Sequence, residues 1–126
     1  MLRTLLVAAA IAATLPAQAQ TTLRCGWYHN PTPGNAILQD ADDQWWLSRQ
    51  GNAPVPGFED AYTTTFDNRL RFDYADETTD GYGYSCACAE GVFDEDAPAY
   101  KNVRSVSRLT EIPLSRCEQD PSLPTP

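Results

Sequence analysis

Residues 81–89, which read Gly-Tyr-Gly-Tyr-Ser-Cys-Ala-Cys-Ala, constrain the fold of this chain more than any other stretch. In a β-strand, successive side chains point to opposite faces. One face then carries only glycine, serine and alanine, and a face this bare lets another backbone, sheet or ligand approach closely. We therefore predict a central strand here, to which cysteines tie the rest of the chain. The large residues of its other face are Tyr82, Tyr84, Cys86 and Cys88.

Four cysteines, an even number, predict two disulfides in an exported protein. They are Cys25, Cys86, Cys88 and Cys117. Cys86 and Cys88 share a strand face about 6.6 Å apart, whereas the Cβ atoms of a disulfide lie about 3.8 Å apart. We therefore expect Cys25 and Cys117 each to bond one member of this pair, in either combination. A four-cysteine zinc site is disfavoured, because the usual pairs of closely spaced cysteines are missing.

The first 19 residues have the pattern of a Sec-type signal peptide. Arg3 gives a positive start, residues 5–13 are apolar, and Ala17 and Ala19 are the small residues that precede a cleavage site. Cleavage after Ala19 predicts a protein that begins at Gln20 and is located in the periplasm or secreted. The alternative, a membrane anchor, is disfavoured because the apolar run is too short to span a bilayer.

The charge of the mature chain narrows the choice of partners. Removal of residues 1–19 from the 126-residue chain leaves 107 residues, with eight Lys and Arg against seventeen Asp and Glu, a net charge of −9. Such a surface disfavours nucleic acid and anionic lipid, and it favours a basic partner or a cation, or serves solubility alone. No second apolar run is long enough to cross a bilayer, so we expect no membrane insertion after cleavage.

Short apolar or alternating segments separated by turn-forming residues predict an all-β domain over residues 20–117. We expect a small antiparallel barrel or sandwich of about six or seven strands, stapled by two disulfides. The predicted strands cover residues 23–28, 36–38, 44–50, 69–74, 81–93 and 101–109. Residues 58–68 fit either one helical turn or an irregular crossing, and residues 118–126 are expected to form a Pro-rich C-terminal tail.

Two details of this prediction concern neighbouring strands. Residues 29–35 contain two prolines and are expected to form a stiff loop. In the strand over residues 44–50, Trp45 shares a face with Leu47 and Arg49, whereas Trp46 shares a face with Ser48. Trp45 is therefore expected to be the more buried of the two tryptophans.

Several segments together resemble a known family. These segments are residues 25–35, 45–51, 81–88 and 113–117, which contain Cys-Gly-Trp-Tyr-His-Asn-Pro-Thr-Pro-Gly-Asn, the Trp-Trp strand, the central strand and Pro-Leu-Ser-Arg-Cys. Their combination resembles a bacterial exported family known only as domain of unknown function 4087, over nearly the whole mature chain. The resemblance implies an exported protein without an assigned activity, and it assigns no catalytic or binding residue.

The residues that carry most enzyme chemistry are sparse. His29 is the only histidine, and nothing marks an activated serine or a paired acid beside it. Asp40, Asp42 and Asp43 fail the EF-hand spacing and are expected to form a solvated turn. We therefore predict no catalytic residue, no metal site and no cofactor.

The aromatic residues are more informative. Tryptophans and tyrosines occupy adjacent strand positions, so they cannot all point into one core, and exposed Trp and Tyr are favoured anchors in interfaces. The candidate binding residues are Trp27, Tyr28, His29, Trp46, Tyr82 and Tyr84.

Two functions fit these observations. The first is a non-enzymatic binding or inhibitor module for a basic envelope or extracellular protein, such as a lysozyme-like muramidase. The second is a hydrolase that uses carboxylates to act on envelope glycans. A single histidine and acids confined to turns make a poor catalytic set, so we favour the binding module.

Overall fold

The structure is a computed structural model, and it describes residues 10–13, 20–63, 66 and 83–126. Within these residues the chain forms five strands, one 3-10 turn and one short helix. The elements are β1 (Thr22–Asn30), β2 (Ala36–Gln39), β3 (Gln44–Ser48), the 3-10 turn Phe58–Asp60, β4 (Gly83–Phe93), β5 (Val103–Ile112) and α1 (Leu114–Glu118). The prediction of an all-β protein is confirmed.

The five strands form one antiparallel sheet in the order β3-β2-β1-β4-β5. The sheet curls into a half-barrel, so its two edge strands approach each other. Asn102, which is 2% exposed and directly precedes β5, joins these edges. Its side-chain amide donates to the Gln44 carbonyl at 2.7 Å and accepts from the Trp46 N–H at 3.2 Å.

The segment from residue 54 to residue 63 runs between the same two edges. The Val55 N–H donates to the Leu47 carbonyl of β3 at 3.0 Å. The Leu109 N–H of β5 donates to the Ala61 carbonyl at 2.7 Å. This segment includes the 3-10 turn Phe58–Asp60. The turn matches the helical turn that was one of the two alternatives predicted for residues 58–68. The predicted strand 69–74 and the polar turn 76–80 lie outside the described residues.

The inner face of the half-barrel holds the main hydrophobic core. The bare face of β4 points inward, and Ala87 and Ala89 are fully buried against core side chains that include Trp45 and Leu109. Gly26 of β1 is required by a close approach, because a Cβ atom there would lie 2.0 Å from the Gln39 carbonyl oxygen. Small residues on two central strands thus make room for large residues from the edges.

Both disulfides lie on the outer face. Cys25 bonds Cys88, its partner across β1 and β4, with Cα atoms 4.0 Å apart. Cys86 bonds Cys117 of α1. The expected arrangement is confirmed, since Cys25 and Cys117 each bond one member of the central pair. The four sulfur atoms are consumed in this way, which excludes the zinc site.

The C-terminal residues cover part of the outer face. Trp27 and the Cys86–Cys117 bridge form a second apolar cluster, against which Leu123 packs. The indole N–H of Trp27 donates to the Pro124 carbonyl at 3.1 Å. The predicted tail covers residues 118–126, but Glu118 ends α1, and Leu123 and Pro124 lie against the sheet because Trp27 offers an apolar surface and a hydrogen-bond donor.

Two local predictions need correction. His29 and Asn30 belong to β1 and not to a loop, because they pair with Tyr84 and Gly83 of β4. Arg49 lies beyond the end of β3 and does not share the buried face of Trp45, since the strand ends at Ser48.

The burial of the adjacent tryptophans follows the predicted order. Trp45 is fully buried in the core, whereas Trp46 is half-buried on the outer face. We expect Trp45→Ala to lower the free energy of unfolding by about 3–5 kcal/mol, because a large cavity would form. Trp46→Ala should lower it much less, and chemical denaturation of both variants makes the comparison. Equal losses would contradict the register of β3.

The disulfides make a second prediction about stability. Each bridge closes a long loop, with sequence separations of 63 and 31 residues. We expect the paired variants Cys25→Ala/Cys88→Ala and Cys86→Ala/Cys117→Ala each to lose about 3–4 kcal/mol of unfolding free energy. Non-reducing peptide mapping of the wild type checks the pairing, and a peptide joining Cys25 to Cys117 would contradict the structure.

Candidate functional site

The turn between β2 and β3 is organised by the side chain of Asp40, which is 8% exposed. Its Oδ1 atom accepts hydrogen bonds from the backbone N–H groups of Asp42 at 2.9 Å and Asp43 at 3.0 Å. Aspartate commonly stabilises tight turns in this way. The predicted turn is present, and Asp42 and Asp43 are exposed, but the expectation that Asp40 is solvated is wrong, because Asp40 is buried against Arg24.

Arg24 of β1 lies beside this turn at one end of the half-barrel. Its guanidinium stacks 4.1 Å from the centre of the Trp45 ring, a cation–π contact. The Nη1 atom donates to Asp40 at 2.9 Å and to Asp42 at 3.0 Å, and the Nη2 atom donates to Glu95 at 2.6 Å. One guanidinium thus holds three carboxylates from two different loops, and we call these four residues the Arg24 network.

Hydrogen bonds within the network favour the charged forms of Arg24 and Asp40. Burial alone would lower the pKa of Arg24, but hydrogen bonds to Asp40, Glu95 and Asp42 outweigh it and raise that pKa. Burial alone would raise the pKa of Asp40, but hydrogen bonds from the backbone of Asp43 and from Arg24 outweigh it and lower that pKa. Arg24 and Asp40 therefore both stay charged across the physiological pH range.

Two adjoining grooves, of about 350 and 540 Å³, flank the turn and share several lining residues. We call them together the acidic groove. The charged residues described in their walls are four carboxylates and one guanidinium, a net formal charge of −3. These residues are Asp40, Asp42, Asp43, Asp120 and Arg24. Leu23, which is 61% exposed, and Leu123 add apolar surface to the same walls.

The five candidate binding residues that the structure describes do not all lie on one surface. Trp27 is 3% exposed because the C-terminal residues cover it. Tyr28 is 2% exposed in the core, where its hydroxyl shares a hydrogen bond with that of Tyr62, so it presents no surface to a partner. Tyr82 lies outside the described residues.

The other three candidates lie in one row across the outer face of the sheet. Trp46 pairs with Ile37, Ile37 with His29, and His29 with Tyr84. The imidazole of His29 packs edge-on against the Tyr84 ring, with centroids 4.6 Å apart. Its Nε2 atom is buried, without a hydrogen-bond partner among the described residues. Burial lowers the pKa of His29 to about 4, so the ring is neutral at physiological pH.

The sequence pattern did not single out Arg24, Glu95 or Asp120. Only Arg24 could have been found from the sequence. Strand alternation places this charged residue on the same face as Gly26 and Tyr28, where a charge needs a partner. Glu95 and Asp120 come from distant loops, and their proximity to the β2–β3 turn depends on the curl of the sheet.

Among the described residues, every carboxyl group with a shifted pKa has a lowered pKa. Hydrogen bonds from Arg104 and Ser122 lower the pKa of Asp94 and of Asp120, as the Arg24 network does for Asp40. A general acid in glycoside hydrolysis needs the opposite shift. In the part of the chain that the structure describes, no group of three or more His, Cys, Asp or Glu residues is placed to bind a metal ion.

Comparison with known protein families places most of the chain in one of them. A family model described as "Protein of unknown function (DUF4087)" matches residues 19–124. No curated protein and no solved structure matches the chain. Among the described residues, no helix has the length and apolar character needed to span a membrane.

The buried imidazole makes a prediction about pH. Since the pKa of His29 falls from 6.5 to about 4 on folding, the unfolded chain binds more protons than the folded chain within that interval. We expect the free energy of unfolding to drop by about 2–3 kcal/mol as the pH falls through it. Denaturant titrations at several pH values make the measurement.

The matched variant for this prediction is His29→Gln, which cannot titrate and should lack the slope between pH 6.5 and 4. Asp40 also destabilises the protein when protonated, but only below its ordinary pKa of 3.8, so the two effects separate. An unchanged slope in the variant would show that another group is responsible.

Proposed function

The chain belongs to the DUF4087 family, whose function is unknown, and from its own geometry we propose that it is a non-enzymatic binding or inhibitor module for a basic protein. The acidic groove is the binding site in this proposal. The partner contributes a segment rich in lysine or arginine, and the protein acts by occupying that segment stoichiometrically.

The observation that carries the proposal is the way in which the Arg24 network holds its carboxylates. Asp42 and Glu95 are each bonded to the same guanidinium, yet their side chains are 68% and 67% exposed. Their positions are therefore fixed before a partner arrives, while much of each carboxylate faces solvent. A site ordered in advance loses less conformational entropy on binding.

Charge and apolar surface lie together in this groove. The net charge of −8 for the whole chain attracts a basic partner at long range, and the groove places carboxylates where contact would form. Leu23 and Leu123 supply apolar contacts beside the charges. Interfaces combine these elements, with electrostatics governing the association rate and apolar anchors the dissociation rate.

We place the protein in the periplasm or outside the cell, after cleavage behind Ala19. Two disulfides are typical of an oxidising, non-cytoplasmic environment, and they support this location. A basic envelope or extracellular protein, such as a lysozyme-like muramidase, would be met in that environment. The hydrolase alternative gains no support from Asp40, Asp94 and Asp120, whose lowered pKa values keep them ionised.

The test uses a lysozyme-type muramidase as the basic probe and measures association and dissociation rates by surface plasmon resonance. We expect a complex whose association rate falls as salt rises from about 0.05 M to about 0.5 M, because salt screens exposed charges. Asp42→Asn/Asp43→Asn should lower the association rate about three- to tenfold at low salt. Asp40 is left unchanged because it is buried with Arg24.

The matched control is Glu59→Gln/Asp60→Asn, which removes the same charge from exposed residues of the 3-10 turn, outside the acidic groove. It should change the association rate less than about twofold. If the two double variants lowered the association rate equally, the attraction would come from net charge alone. That result would refute the acidic groove as the binding site. Turnover of a glycan that one carboxylate substitution abolishes would refute the binding module in favour of the hydrolase.

A further inference from the structure

Another groove, of about 360 Å³, lies at the C-terminal end of β3. The β2–β3 turn, which borders the acidic groove, lies at the N-terminal end of the same strand. One wall is the end of β3 and the loop that follows it, and the other is the loop between β4 and β5. We call it the cationic groove. The described residues that line it are Trp46, Ser48, Arg49, Asn52, Ala53, Val55, Tyr100 and Lys101, none of which is acidic.

The two cations of this groove differ from most others in the described part of the chain. Arg24, Arg104 and Arg108 each have a carboxylate within 4.0 Å. Neither Arg49 nor Lys101 has one among the described residues, although acidic residues outnumber basic ones by seventeen to nine in the sequence. An acidic protein thus directs into one groove two cations that have no carboxylate partner among the described residues, and this favours an anionic ligand.

Aromatic rings form the body of the groove. The rings of Trp46 and Tyr100 meet edge to face, with centroids 4.5 Å apart. The guanidinium of Arg49 lies 4.6 Å from the centre of the Tyr100 ring, which orients it beside the groove. Tyr100 has a φ of 71° and is 53% exposed. This left-handed backbone conformation is uncommon for tyrosine, and it places the ring at the surface beside the groove.

The surrounding structure fixes both aromatic rings before a ligand binds. Asn102, two residues after Tyr100, is hydrogen-bonded to the backbone of Gln44 and Trp46. Its own carbonyl accepts from the Asp94 N–H at 2.8 Å, and Lys101 N–H donates to Pro98. The β4–β5 loop is therefore anchored to β3, and this anchoring places Tyr100 and Lys101 opposite Trp46.

We propose that the cationic groove binds one carboxylated sugar residue, as in a uronic acid. Aromatic faces pack against the C–H groups of a pyranose ring, while Arg49 and Lys101 pair with the carboxylate. Ser48 and Asn52 offer hydrogen bonds to ring hydroxyls. The volume lies at the small end of the range for ligand sites, about 300–1,000 Å³, and suits a single ring. The site is separate from the acidic groove.

The experiment titrates the ¹⁵N-labelled protein with D-glucuronate and follows amide shifts by NMR. D-glucose, which lacks the carboxylate, and acetate, which lacks the ring, are the reference ligands. We expect glucuronate to shift amides of residues 46–53 and 100–101 with an affinity at least about tenfold above either reference. If acetate bound as tightly as glucuronate, the groove would be a simple anion site, and the proposal would be refuted. If glucose bound as tightly as glucuronate, the carboxylate would play no part, and the proposal would also be refuted.

Variants separate the groove from general charge. Arg49→Gln and Lys101→Gln should each weaken glucuronate binding at least about fivefold. Arg116→Gln removes an equivalent exposed charge from α1 and should change the affinity less than about twofold. The proposal would be overturned if Arg116→Gln lost glucuronate binding, or if Arg49→Gln and Lys101→Gln kept the wild-type affinity.

Tyr100→Asn tests the ring without disturbing the backbone, because asparagine accepts a positive φ better than tyrosine does. This variant should remain folded and lose most of the glucuronate affinity. Unchanged affinity in a folded Tyr100→Asn protein would contradict a role of the ring.

Discussion

The pairing of β1 with β4 is the interaction on which the rest of the structure depends. It runs without interruption from Thr22 opposite Gly91 to Asn30 opposite Gly83, and these are the central strands of the sheet. On the inner face of the pair, β4 contributes mainly small residues and β1 contributes Gly26 beside Tyr28, so core side chains from both edges can pack over Ala87 and Ala89. Its outer face carries the Cys25–Cys88 bridge between the strands and, through Cys86, the bridge to α1.

Polar contacts between the two edges help to close the half-barrel over its apolar core. The buried amide of Asn102 satisfies two backbone groups of β3, which would otherwise be unpaired at a sheet edge. The segment 54–63 supplies further backbone hydrogen bonds to both edges. Because Asn102 holds the β4–β5 loop against β3, these contacts also bring together the two walls of the cationic groove.

The two grooves have opposite charge, and the fold explains how they coexist in one small domain. The acidic groove is built on the β2–β3 turn and on residues 120–124, whereas the cationic groove lies where β3 ends. In the acidic groove, Arg24 forms salt bridges with three carboxylates, which compensate its positive charge. In the second, Arg49 and Lys101 face solvent, so each groove keeps its own sign of charge.

The sequence by itself determined that the fold is all-β, that Cys86 and Cys88 do not bond each other, and that Trp45 is more buried than Trp46. These features follow from alternation along single strands, which is a local property of the backbone. Tertiary structure alone decided the disulfide partners, the burial of Tyr28 and the assembly of both grooves. Glu95, Tyr100 and Asn102 show why: each acts on a strand or turn more than 50 residues away, and only the curl of the sheet brings them together.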